Sequence, residues 1–211
     1  MAVRHVKIVN RKRGWCAVEI PRCGCTYLKD LVWQDYHNGE RFSIEKEGTN
    51  LHLALGYTEE ESKGKIVEWN YDTSGLFHFA VWRPPIERCV STWLGFTKKP
   101  TAHKYLQPLA NCSFDDWVNF IEVEMLREGE KIDPHLRRQI DFYHVNDVDA
   151  IVPLEMLNQW LWKKFGYEPQ EKINVSARPD NLFLSPFAGE RIAQLYVKDI
   201  VIPLSNKFVR E

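Results

Sequence analysis

The sequence predicts an α/β protein of three layers, with a mostly parallel central sheet and helices on both faces. Three observations predict it. Short apolar runs closed by proline or glycine alternate with longer segments of helical periodicity. Pro85 and Pro153 each stand where a helix would follow a strand. The 211 residues contain no repeat, low-complexity tract or linker, so 1–211 reads as one domain. An apolar fraction of 44% with eight tryptophans supplies a core that needs no staples.

The elements follow in order. Trp15 to Ile20 is a short apolar run that reads as a buried strand, stopped by Pro21. Thr26 to Tyr36 reads as a helix, with Leu28, Leu31, Val32 and Tyr36 on one stripe. Residues 37–63 are polar and charged and read as loop with a short helix. Strands are expected at Lys65 to Trp69 and Leu76 to Trp82. Pro84 and Pro85 then open a helix whose apolar face is Ile86, Val90, Trp93 and Leu94. Ser113 with Asp116 is an N-terminal cap for a helix to Leu126 that carries Trp117, Phe120, Ile121 and Met125. A strand at Val148 to Val152 leads to a helix begun by Pro153, with Leu154, Leu157, Leu161 and Phe165 inward, and a last helix spans Pro186 to Asp199. Strand order is not legible in this pattern.

Charge and cysteines exclude several functions. With 28 basic and 29 acidic residues the net charge is −1, which argues against nucleic acid as a partner and leaves room for a local pocket holding one small polyanion. Five cysteines without framework spacing read as reduced thiols; Cys23 and Cys25 lack a second pair or a histidine cluster, so no metal is expected. Met1 to Gly14 is polar and basic without an apolar signal region, and no run approaches the ~20 residues of a membrane span. The expectation is a cytoplasmic protein without a membrane span.

Two segments carry chemistry. Pro21-Arg22-Cys23-Gly24-Cys25-Thr26 joins the first strand to the first helix. Such a loop presents backbone N–H groups and the positive end of the helix dipole, which suits an anion. Gly24 lets the backbone curl, Thr26 adds a hydroxyl, and Arg22 adds a planar fork of donors. The nucleotide-triphosphate loop G-x-x-x-x-G-K-S/T is absent. The second segment runs from Phe79 to Trp93: Arg83 leaves a buried strand and Ser91 lies about two turns into the next helix, at the sheet edge where open α/β sheets bind ligands.

Here the chain resembles the sulfotransferases that use 3′-phosphoadenosine 5′-phosphosulfate (PAPS), especially the carbohydrate sulfotransferase branch. That family has a P-K/R-x-G/A-C/S-T loop around the 5′-phosphosulfate and an R-D/N-P-x-x-R-x-x-S-x-Y/W/F segment around the 3′-phosphate. The resemblance implies a P-loop-NTPase-like sulfotransferase fold. It implies donor contacts from Arg22, Cys23, Gly24, Cys25, Thr26 and Tyr27 at the first site and from Arg83 and Ser91 at the second, with Arg88 anchoring its helix. His135-Leu136-Arg137-Arg138-Gln139 is similar to the family's H-W-x-P-Q, and Val148 to Glu155 to its Y-D-F-I-G-K-x-E. Asn174 to Arg178 and Tyr196-x-x-Asp199 are similar to its C-terminal region, which implies that Ser176 and Arg178 approach the nucleotide. Pro84 stands where the family has an acidic or amide residue, and Leu136 where it has tryptophan.

The implied activity is transfer of a sulfuryl group from PAPS to a hydroxyl of a carbohydrate, a peptide tyrosine or a small alcohol, carbohydrate ranking first. Adenosine 3′,5′-bisphosphate is the nucleotide product and no metal is required. Arg22 would stabilise the leaving 5′-phosphate. The proton acceptor is His52, after the first helix, or Glu40, whose place resembles the glutamate of the tyrosylprotein sulfotransferases; His135, His78 and Glu68 stand behind them. A catalytically inactive nucleotide-binding protein and a nucleotide-kinase-like phosphotransferase are the alternatives. The sequence does not specify the oligomeric state.

Overall fold

A computed structural model describes residues 6–43, 51–56, 65–68, 72–98, 111–127, 132–170 and 184–210, with backbone alone at 52, 53, 56, 65–68 and 98. Five strands, β1 (Val6–Asn10), β2 (Trp15–Val18), β3 (Lys65–Glu68), β4 (Phe77–Trp82) and β5 (Ala150–Pro153), form one open sheet in the order β3-β1-β2-β4-β5. β2 pairs in parallel with β4 and β4 with β5, while β1 runs antiparallel to both β2 and β3. The mostly parallel α/β sheet therefore matches the expectation. Helices are α1 (Cys25–Tyr36), α2 (Leu51–Gly56), α3 (Pro85–Lys98), α4 (Phe114–Met125), α5 (Leu157–Phe165), α6 (Pro186–Leu195) and α7 (Val197–Ile200).

Several boundaries differ from the sequence reading, each for a physical reason. β1 falls in the segment read as merely polar and basic. Its polar side chains find tertiary partners: buried Lys7 donates to Thr73 Oγ1 at 2.9 Å, and buried Asn10 donates to Asp35 at 2.7 Å and to Tyr167 at 2.8 Å. Pro153 closes β5 and does not open a helix; a 3-10 turn, Leu154–Met156, intervenes before α5. The expected final helix breaks at Tyr196 (φ −111°, ψ 26°), a buried residue whose hydroxyl donates to the Leu136 carbonyl at 2.6 Å. Ile86 faces solvent, whereas Val90 and Leu94 of the same helix are buried.

The chain groups into two compact units. The first comprises Met1–Trp82, Phe142–Asn174 and Ser205–Glu211. Its core sets Trp15 against Phe79 (ring centroids 5.6 Å) and Phe79 against Trp160 (4.9 Å), and Leu28, Leu31 and Val32 of α1 are also buried. At the amino end of β2, Asp35 accepts from Asn10, from Arg13 Nε at 2.9 Å and from the Tyr167 hydroxyl at 2.5 Å, which binds the hairpin to α1. Residues 207–209 extend the sheet beside β5, where the Ile151 N–H donates to the Lys207 carbonyl and the Val209 N–H to the Ile151 carbonyl.

The second unit comprises Arg83–Asp141 and Val175–Leu204. Val90, Leu94, Trp117, Ile121, Ile192 and Tyr196 make its core. α4 begins with the expected capping box, in which Ser113 accepts from the Asp116 N–H and Asp116 accepts in return from the Ser113 N–H. Arg88 is buried and donates to the carbonyls of Arg137 (2.7 Å) and Pro134 (3.3 Å), which is the anchoring role expected of it. Among the described residues no helix is long and apolar enough to cross a membrane.

Candidate functional site

The loop after β2 is a tight turn with unusual backbone geometry. The Cys23 N–H donates to the Ile20 carbonyl at 3.1 Å, closing a β-turn with Pro21 at its first corner and Arg22 at its second. Proline suits the first corner, but the second carries φ +67°, a left-handed position that favours glycine. Holding arginine there costs about 1 kcal/mol or more, a strain that folded proteins retain mostly at functional sites. Gly24 follows at φ +80°, so two residues of three are left-handed. A Cβ on Gly24 would also lie 2.9 Å from a Leu154 methyl and 3.4 Å from one of Leu157, so the glycine meets both a conformational and a packing demand.

Gly24 is also the N-cap of α1, and no side chain caps this helix. The loop therefore delivers the positive end of a 12-residue helix to the carboxyl edge of the parallel strands, with Arg22, Gly24, Cys25 and Thr26 half-exposed. The side chains of Cys23 and Tyr27 are buried, which limits their contribution at the surface of the loop to their backbone. Burial raises both the Tyr27 phenol and the Cys25 thiol. For Cys25 the Lys29 ammonium and hydrogen bonds from the Arg22 and Thr26 backbone pull the other way.

Behind the loop lies a pair the sequence reading missed. Lys29 is fully buried and its ammonium donates to Glu19, the residue just before Ile20-Pro21. The pair ties the end of β2 to the second turn of α1 and places a cation close behind the loop. Its one sequence signal is Lys29 itself, a charge one helical turn from Cys25 and flanked by Leu28 and Leu31 of the apolar stripe.

The proton-acceptor candidates fall in different places. The chain after α1 doubles back: the Phe42 N–H donates to Asp30 at 2.9 Å and Phe42 packs edge-on against Trp33. Residues 38–42 thus return along α1, and Glu40 is exposed on this segment. His52 lies in α2, which packs on α1 and buries Leu51 and Leu55; its side chain lies outside the described residues. Glu68 ends β3 opposite Val6, whose carbonyl accepts from the Glu19 N–H at 2.8 Å, so its backbone shares the loop's edge of the sheet, two strand spacings or roughly 10 Å away. His78 pairs in register with Cys16, near the other end of β4 and roughly 13 Å along the strand from the loop; its ring bonds the Thr73 carbonyl. Ser176 and Arg178 lie outside the described residues.

In the second unit Arg83 directly follows the last residue of β4. Its Nε lies 3.8 Å from the Glu87 carboxylate, and Ser91, half-buried, is one turn beyond Glu87 on α3. A cation, a carboxylate and a hydroxyl thus stand four residues apart, and the sequence reading did not weigh Glu87. The Arg83 backbone is gripped by the Gln139 side chain: the Arg83 N–H donates to Gln139 Oε1 at 2.9 Å and Gln139 Nε2 donates to the Arg83 carbonyl at 2.8 Å. The Gln139 N–H in turn donates to Asp199, which also takes the Ile140 N–H. Burial raises the Asp199 carboxyl, and the two N–H bonds oppose the rise. His135 is held by Asp133 at 2.8 Å and packs edge-on against Phe96.

No three His, Cys, Asp or Glu side chains gather as a metal site among the described residues. A surface cavity of about 400 Å³ between α5 and the tail, lined by Met156, Gln159, Trp160, Lys163, Val209 and Arg210, contains none of the predicted site residues. The chain matches no family model, no curated protein and no solved structure.

Proposed function

We propose that this protein is a PAPS-dependent sulfotransferase with a P-loop-like sulfotransferase fold, acting on a hydroxyl acceptor, carbohydrate first. One observation carries the reading: a strained Arg22 and a left-handed Gly24 lead into the uncapped N-terminus of α1 at the carboxyl edge of the parallel strands. Strain without a cap is a cost that an anion-binding role accounts for. The order of the two motifs along the chain supports the donor assignment, with the 5′-phosphosulfate on the loop and the 3′-phosphate on Arg83 and Ser91.

The chemistry is in-line displacement at sulfur. The acceptor oxygen forms a bond to sulfur, the bond from sulfur to the 5′-phosphate oxygen breaks, and that oxygen leaves with the electron pair and the negative charge. Arg22, the loop N–H groups and the helix dipole stabilise the growing charge. The acceptor's proton passes to His52 or Glu40.

Labelled PAPS and a panel of glycan, tyrosine-peptide and alcohol acceptors test the reading. Arg22→Ala should lower turnover roughly 10²–10³-fold with a smaller loss of donor affinity. His52→Ala and Glu40→Gln separate the bases: the variant that loses activity identifies the acceptor of the proton. Wild-type protein that transfers nothing to any acceptor would refute the enzymatic reading.

A further inference from the structure

We propose that Gln139, held by Asp199, is the positioning residue that aims Arg83 at the 3′-phosphate, an inference that rests on the donor assignment above. Arg83 stands one residue past the end of β4, where the ladder stops at the Trp82–Pro153 pair and its N–H and carbonyl lose strand partners. The Gln139 carboxamide takes both, accepting from the N–H at 2.9 Å and donating to the carbonyl at 2.8 Å, as a neighbouring strand would. A primary amide is the side chain that offers one donor and one acceptor at this spacing.

Gln139 is itself immobilised. It is fully buried, and its own N–H is held at 2.8 Å by Asp199, which is also fully buried and takes the Ile140 N–H at 3.0 Å. Gln139 and Asp199 close two of the stretches similar to family motifs, His135 to Gln139 and Tyr196 to Asp199. Holding the Arg83 backbone fixes the direction in which its guanidinium leaves the strand. That matters because Glu87 competes for the same guanidinium at 3.8 Å. Small displacements of a charged group that orients a ligand are costly, on the order of 10²-fold for about 1 Å.

The readout is 3′-phosphate selectivity, the ratio of affinities for adenosine 3′,5′-bisphosphate and AMP, titrated on the full chain. Gln139→Leu should lower this ratio about tenfold or more, and Gln139→Glu, which keeps the acceptor and loses the donor, should fall between. In an Arg83→Ala background Gln139→Leu should change the ratio no further, since it acts through Arg83. A merely structural role would weaken both ligands alike and leave the ratio unmoved. If Gln139→Leu does not fold, Asp199→Asn, which keeps one acceptor oxygen, should lower the ratio in the same direction. Wild-type protein with no preference for the bisphosphate overturns the donor assignment and this inference together. A preference intact in Gln139→Leu and Gln139→Glu, or in Asp199→Asn, overturns the inference alone.

Discussion

Two helix starts in this protein are built in opposite ways. α4 opens with Ser113 and Asp116 satisfying each other's backbone, an arrangement worth about 1 kcal/mol that serves the helix and nothing else. α1 opens on a left-handed glycine with no side-chain cap, after an arginine in a glycine's conformation. A helix selected for stability alone resembles the first. The second gives up a cap and accepts strain while buried Lys29, paired with part-exposed Glu19, holds its loop from behind. The contrast teaches where to look: the end that gives up local stability is the end at which we propose an anion binds.

The largest expected effect removes what holds that loop. Lys29→Met replaces the fully buried cation that pairs with part-exposed Glu19 and should cost about 2 kcal/mol or more in urea unfolding. A loss below ~1 kcal/mol would show the pair to be incidental to the loop.

Alkaline stability tests the fastening at the opposite end of α1. Burial first, then the bond to the Asp35 carboxylate, raise the Tyr167 phenol above its ordinary value. The folded protein keeps a proton that the unfolded chain releases, so this contribution is complete below about pH 10 and is lost as pH rises beyond it. Burial also raises Tyr27, Tyr36 and Tyr196, which act with the same sign. Tyr167→Phe should lower stability at neutral pH and partly flatten the decline above pH ~10 in denaturation across pH.

The smallest effects sharpen the comparison itself. Gly24→Ala should cost about 1–2 kcal/mol through its positive φ, with the Leu154 methyl forced aside, and should also weaken anion binding. Ser113→Ala should cost about 1 kcal/mol and leave ligand binding untouched. Thermal melts with and without adenosine 3′,5′-bisphosphate measure both halves of this contrast.

What the sequence made legible follows from how local each feature is. The Ser113 capping box and the strand β4 are written within one element and were read correctly. The α1 stripe was read in part: Leu28, Leu31 and Val32 are buried, but so are Lys29, Asp30, Gln34 and Asp35, and Tyr36 is only half-buried. β1 was missed, because Lys7 and Asn10 look solvent-facing until Thr73, Asp35 and Tyr167 arrive from far along the chain. Tyr196 breaks the last helix for a like reason, its hydroxyl being claimed by Leu136, 60 residues away. At the candidate site the loop itself was legible from Pro21, Gly24 and Thr26. The Glu19–Lys29 pair and the Gln139 grip were not, because each depends on side-chain geometry that no spacing rule encodes, whereas Glu87 stands four residues after Arg83, a spacing the sequence does carry.

Donor recognition is the measurement that reaches the central claim most directly. Adenosine 3′,5′-bisphosphate, AMP and ATP are each titrated against the wild-type chain while its melting temperature is followed, since a ligand that binds the native state raises it by mass action. The account predicts a far larger shift for the bisphosphate than for either of the others, and loss of that excess in Arg83→Ala. Equal shifts for all three nucleotides, or none, would contradict it.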